Sequence, residues 1–205
     1  MSTRQRLLPA AAASLMLAGC VVSPAALGAG ELAIATAPAL PVLPGVTITA
    51  KSQTVTTTMA NFAITDTRGT KSGWNLTALG QTGVGRSAVF AQYCPNAKCG
   101  SDSEGYVAAG RTLAAKSLTF SSTGASLKGG TGSAPLLQCA AACSLDSATA
   151  VKVLSAVTGG AGESRWTTSG FTATSLKLAV PTTLRVLPAA EVYRVNILWT
   201  LSTGP

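Results

Sequence analysis

The chain has 205 residues, of which 47% are hydrophobic and 11% charged, and its formal net charge is +8. It contains no histidine, which excludes Ser-His-Asp and Cys-His catalysis and histidine-ligated metals. The basic residues are scattered, and no Lys/Arg run marks a nucleic-acid groove.

The chain opens with a targeting signal. Arg4 and Arg6 precede an apolar run from Leu7 to Ala18, which ends at Leu17-Ala18-Gly19-Cys20. Charged, then apolar, then small residues is the layout of a secretory signal peptide, here residues 1–20. At about a dozen residues the run is too short to span a bilayer as a helix, and no later segment is long and apolar enough to do so. Leu17-Ala18-Gly19-Cys20 also resembles a bacterial lipobox, which makes Cys20 a candidate for lipidation. The alternative is cleavage near Gly28, which would discard Cys20. More than one acyl chain would be needed for a firm membrane anchor, and such an anchor is the one membrane contact we expect. Counted from Cys20, thirteen basic and seven acidic side chains leave +6. A diffuse positive charge suits an anionic cell wall, and it suits simple solubility equally well.

Residues 21–44 are rich in Ala and Pro. Glu31–Thr36 is a candidate first strand, and Pro38, Pro41 and Pro44 then break regular structure. From Val46 the composition turns to Thr, Val, Ser, Gly and Ala, where β-branching favours strands. Phe62 and Ile64 share one face. The segment from Asp66 to Gly73 supplies turn chemistry, and Trp74, Leu76 and Ala78 then share a face. This pattern predicts a strand, a turn and a strand, close to a hairpin, with Trp74 pointing inward. Gly80 to Gly85 matches no nucleotide fingerprint and reads as a turn.

Further strands are expected at Ser87–Tyr93, Leu113–Ser121, Val151–Val157, Thr172–Val180 and Thr183–Leu187. Cys94 to Gly105 reads as a loop. The alanine-rich stretches Leu136–Ala142 and Ser147–Ser155 are candidates for one or two short helices. At the end of the chain, Tyr193, Val195, Ile197, Trp199 and Leu201 alternate with Arg194, Asn196, Leu198 and Thr200, the period of a strand lying on a core. Many short strands with Gly/Ser/Thr turns predict one all-β domain over residues 31–205, a sandwich or barrel-like fold.

Four cysteines remain after the leader: Cys94, Cys99, Cys139 and Cys143. In an exported chain they read as two disulfides rather than a zinc site, with three connectivities open. No metal or other cofactor is implied. Asp102 and Glu104 lie in a Gly/Ser segment and read as a solvated loop, not a catalytic pair. We therefore expect no enzyme. Asp66 and Arg68, at i and i+2, face the same way on an extended segment. They are read as a turn lock, with a polar contact to a wall polymer as the alternative. Trp74 and Trp199 fall in phase with apolar neighbours and are read as core. Trp166 falls outside that frame and is the candidate for surface contact, because an exposed indole stacks well on flat apolar faces.

A short frame occurs twice, as Gly73-Trp74-Asn75-Leu76-Thr77 and Leu198-Trp199-Thr200-Leu201-Ser202, with tryptophans 125 positions apart. With the preceding Asp66-Thr67-Arg68-Gly69 turn and the terminal run from Tyr193, it resembles the WxL domain. That family is a surface module of Gram-positive bacteria that binds peptidoglycan non-covalently. The resemblance spans Glu31 to Pro205. It implies a β-rich, non-catalytic module in which Trp74, Leu76, Trp199 and Leu201 form the paired motifs and Asp66, Arg68 and Gly69 the motif turn. It also implies a secreted protein on the cell surface, bound to peptidoglycan or another wall polymer, with other surface proteins as further partners. A structural subunit or adhesin of a surface complex is the alternative function. The four cysteines and the candidate lipobox are additions to the family pattern, and Gln81 to Arg165 carries little of it.

Overall fold

A computed structural model describes residues 30–188 and 190–204. The expected signal peptide, with Cys20 and the alternative cleavage point at Gly28, lies outside the described residues, as do Ala189 and Pro205. Among the described residues there is no helix, and fifteen strands follow one another. They are β1 (Leu32–Thr36), β2 (Gln53–Thr57), β3 (Ala63–Asp66), β4 (Trp74–Gly80), β5 (Ala91–Cys99), β6 (Asp102–Tyr106), β7 (Leu118–Phe120) and β8 (Ser126–Thr131). β9 (Leu136–Leu137), β10 (Cys143–Ser144), β11 (Val151–Ala156), β12 (Glu163–Ser169), β13 (Leu176–Val180), β14 (Val192–Arg194) and β15 (Ile197–Thr203) complete the chain. The fold is all-β and sandwich-like.

The strands form four antiparallel sheets, in the orders β1-β3-β12-β8, β10-β7-β13-β2, β15-β4-β11-β9 and β14-β5-β6. Period-two patterning explains the choice of strands. In β13, Leu176, Leu178 and Val180 are buried while Lys177 and Ala179 are exposed. One core joins the three larger sheets. Trp199 of β15 lies 6.3 Å from Phe62, Phe62 stacks on Phe171 at 6.0 Å, and Phe171 meets the edge of Phe120 at 5.6 Å. Such aromatic pairs add about 0.5–1.5 kcal/mol each beyond their buried area. Phe62 is clamped in turn by Thr168, whose Oγ1 accepts from the Phe62 amide at 2.8 Å.

Several expectations are corrected. β3 and β4 do not form a hairpin, because they belong to different sheets and the segment between them crosses from one to the other. The Cys94–Gly105 segment is not a loop but the β5–β6 hairpin, whose register slips between Cys94 and Lys98. The four cysteines pair locally, Cys94–Cys99 and Cys139–Cys143. The first bridge closes the bulge in that hairpin.

Neither alanine-rich stretch is helical. Cys139 and Ala142 have φ of 64° and 65°, which a right-handed helix excludes. The second bridge instead closes a turn between β9 and β10, which lie in two different sheets. In the other stretch the β-branched Val151 and Val153 make a strand, β11. Thr183–Leu187 forms no strand; Leu184 N donates to Pro181 O at 3.1 Å in a turn. The terminal strand is divided. Its alternation holds, but β14 pairs with β5 and β15 with β4. The chain changes sheets at Asn196, whose amide N–H donates to Ser87 O at 2.9 Å and whose carbonyl accepts from Gln81 N at 2.7 Å.

Candidate functional site

The two Trp-X-Leu frames lie side by side. β15 pairs along the whole of β4, with Trp199 opposite Ala78, Leu201 opposite Leu76 and Thr203 opposite Trp74. Directly opposed residues share a face, so both tryptophans and both leucines point the same way, into the core. Trp74 and Leu76 have no solvent exposure. Trp199 and Leu201 are half-buried on this edge strand.

Trp74 is seated by a glycine. Its indole N–H donates to Gly162 O at 3.3 Å. A Cβ at Gly162 would come within 2.8 Å of the indole nitrogen and 2.6 Å of the Ala156 Cβ. Trp166 is seated in the same manner. Its N–H donates to Glu163 O at 2.8 Å, and a Cβ on Gly130 would fall 1.9 Å from the ring. The ring thus covers a glycine of the edge strand β8. At 7% exposure, Trp166 has no free face for stacking, and the expectation of a surface contact there is corrected. Gly129-Gly130 reads as a turn in the sequence but lies within β8, where a glycine marks the close approach of another group.

The motif turn is a lock. Arg68 Nε donates to Asp66 Oδ1 at 2.9 Å, Arg68 Nη2 to Oδ2 at 2.8 Å, and the Arg68 amide to Oδ1 at 3.2 Å. Arg68 Nη2 also reaches Gly73 O at 3.0 Å, which ties the turn to the start of β4. The guanidinium holds the Asp66 carboxyl below its ordinary value, and the carboxylate in turn raises that of Arg68. Asp66 is 6% exposed, so this pair spans the crossing between two sheets and leaves little for a ligand. Gly69 is in the left-handed region at φ 67° with open space around it.

The opposite face of the motif sheet is polar. Lys152, Thr77 and Thr200 lie in one row across β11, β4 and β15, and Ser155, Asn75 and Ser202 in the next. Lys152, Thr200 and Ser202 are exposed and Thr77 half-exposed. Leu198, at 38%, and Leu136, at 56%, add exposed apolar area to β15 and β9. Asn75 is the pivot of the second row. Its side-chain nitrogen donates to Gly204 O at 2.7 Å, and its Oδ1 is buried without a partner. Asn75 and Ser155 are themselves buried, so among the described residues this face offers hydroxyls and an ammonium, and no carboxyl.

Beyond Asp66–Arg68 no salt bridge forms among the described residues, so the remaining cations carry no paired carboxylate. No group of three or more potential metal ligands occurs among the described residues. Asp102 and Glu104 lie on β6. Asp146, which the sequence did not single out, is fully buried; it accepts from the Ser117 and Leu118 amides, each at 2.9 Å, while burial raises its pKa. It serves to hold the β7 strand in place.

A family model described as WxL domain, surface cell wall-binding, matches residues 30–205. No curated protein and no solved structure matches the chain.

Proposed function

Given that the chain belongs to the WxL family of surface cell wall-binding domains, we propose that it binds peptidoglycan non-covalently through the polar face of its motif sheet. The observation that carries this reading is the direction of the side chains. The tryptophans and leucines of both motifs are spent on the core, so contact with a polymer falls to what the same strands present outward. Lys152, Thr77, Thr200 and Ser202 form a flat array of donors and acceptors. N-acetyl sugars and carboxylate-bearing peptides present the complementary groups, and a single well-placed charge-assisted bond contributes about 1.5–3 kcal/mol. The unpaired cations elsewhere add a screened, non-specific attraction to an anionic wall. No catalytic step is part of this reading.

The test is sedimentation of the protein with washed peptidoglycan, with and without wall-linked anionic polymers, at low and high salt. Salt-resistant pelleting with bare peptidoglycan is expected. Pelleting that needs the anionic polymers and vanishes in salt would reduce the interaction to net charge and overturn the reading.

A second reading rests on one feature, the free side of β15. This seven-residue edge strand pairs only with β4 among the described residues, and such an edge can accept a strand from another surface protein. Failure to bind wall, together with copurification of a neighbour, would favour it. Export through residues 1–20, with or without a lipid on Cys20, belongs to the same proposal. Mass determination of the cell-associated protein decides between the two fates of Cys20.

A further inference from the structure

The core is not closed everywhere. Between the proline-bearing segment after β1 and the segment around β14 lies an open cleft of about 1040 Å³. Its floor includes Leu118, Leu176, Leu178 and Val180, the inward face of the second sheet. Its rim carries Val42, Val186 and Val192, which are 95%, 74% and 46% exposed. Of the eight large apolar side chains exposed among the described residues, these three and Ile48 line this one cleft. An apolar concavity with a few convergent polar groups is the usual form of a small-molecule site.

The polar groups are present. Glu191 lines the cleft at 9% exposure. Its Oε2 accepts from Gln92 Nε2, and Gln92 is itself fixed because its Oε1 accepts from the Arg111 amide at 2.9 Å. Glu191 Oε1 is buried and has no partner, although buried acceptors are nearly always satisfied. Arg185 and Arg194 also line the cleft and are exposed. Arg194 stacks on the Tyr93 ring at 4.5 Å, which fixes its guanidinium in place.

We propose that this cleft binds a single-chain lipid with an anionic, hydroxyl-bearing head. The acyl chain lies along the leucine and valine floor and covers the exposed rim. The head gives a hydroxyl hydrogen bond to Glu191 Oε1 and its phosphate to Arg185 and Arg194. None of the lining residues belongs to β4, β11 or β15, so this site is separate from the proposed wall-facing surface and either can fail without the other.

The experiment is calorimetric titration of the full chain with lysophosphatidylglycerol below its micelle concentration. Saturable binding of one lipid per chain is expected, with no response to glycerol phosphate, which lacks the chain. Lysophosphatidylcholine, which keeps the backbone hydroxyl but lacks the two hydroxyls of the head-group glycerol and bears a cation there, should bind about tenfold more weakly. Val186→Asp and Arg185→Glu change exposed rim side chains, so the fold should persist, read as an unchanged melting temperature. Each should weaken lysophosphatidylglycerol about tenfold. Absence of saturable binding, equal affinity for the choline lipid, or affinity untouched by both substitutions would overturn the proposal. So would saturation of the cleft by an apolar peptide with no response to the lipid.

Discussion

Gly162→Ala tests whether Trp74 is held by close packing. Gly162 has φ 72°, and an L-residue in this left-handed region costs about 1–2 kcal/mol. The new methyl would also meet the Ala156 Cβ at 2.6 Å and the Trp74 ring at 2.8 and 2.9 Å. Neither neighbour can give way freely. Ala156 is paired with Trp74 across β11 and β4, and the indole is bonded to Gly162 O. Overpacking of this kind costs about 1–3 kcal/mol, which brings the total to about 2–5 kcal/mol. Gly85→Ala is the control, since Gly85 has φ 67° and open space around it, so it carries the backbone strain alone. Urea unfolding of the parent and both variants should show Gly162→Ala less stable than Gly85→Ala by about 1–3 kcal/mol, with equal m-values. Equal losses in the two variants would refute the claim that the indole and the glycine are fitted to each other.

Asp66→Asn should cost about 1.5–3 kcal/mol at neutral pH, the value of charged hydrogen bonds. Because Arg68 depresses the Asp66 pKa below 3.8, that stabilisation is present above pH 3.8 and is lost as pH falls through the lower folded-state value. The stability gap between parent and variant should therefore close in acid, and a gap that persists at the acid limit would contradict the turn lock. Reduction of the two bridges, which close sequence separations of 5 and 4, should cost about 2 kcal/mol each in chain entropy. Peptide mapping without reductant should find each bridge within one short fragment, and a cross-linked pair of distant fragments would contradict local pairing. Lys152→Glu and Thr200→Glu should weaken wall retention about tenfold with unchanged melting temperature. Trp199→Ala, on the opposite face, should instead lower stability by about 2–4 kcal/mol. Loss of wall binding in Trp199→Ala without loss of stability would move the contact surface to the other side of the sheet.

Period-two alternation in Tyr193–Leu201 and Trp74–Ala78 is local information, because successive side chains of any strand face opposite ways. It was therefore legible without coordinates that Trp74 faces the core, that the chain is all-β, and that Asp66 and Arg68 can meet. Their spacing of two residues put both groups on one side of an extended segment. The family resemblance was legible for the same reason, since it rests on short frames that can be read in place.

Partnership between strands was not legible. Nothing in Phe62–Ile64 or Trp74–Ala78 says that they join different sheets, nor that β15 comes from the far end of the chain to lie along β4. Those pairings depend on which distant segment offers a matching apolar face and register. Trp166 shows the same limit on the scale of one side chain. Its own neighbours gave no reason to bury it, and only the bare backbone of Gly130, brought alongside by the pairing of β12 with β8, makes room for the ring. The polar rows of the motif sheet and the cleft beneath Val42 are likewise assembled from residues far apart in the chain. Local pattern decides which way a side chain points, and tertiary pairing decides what it meets.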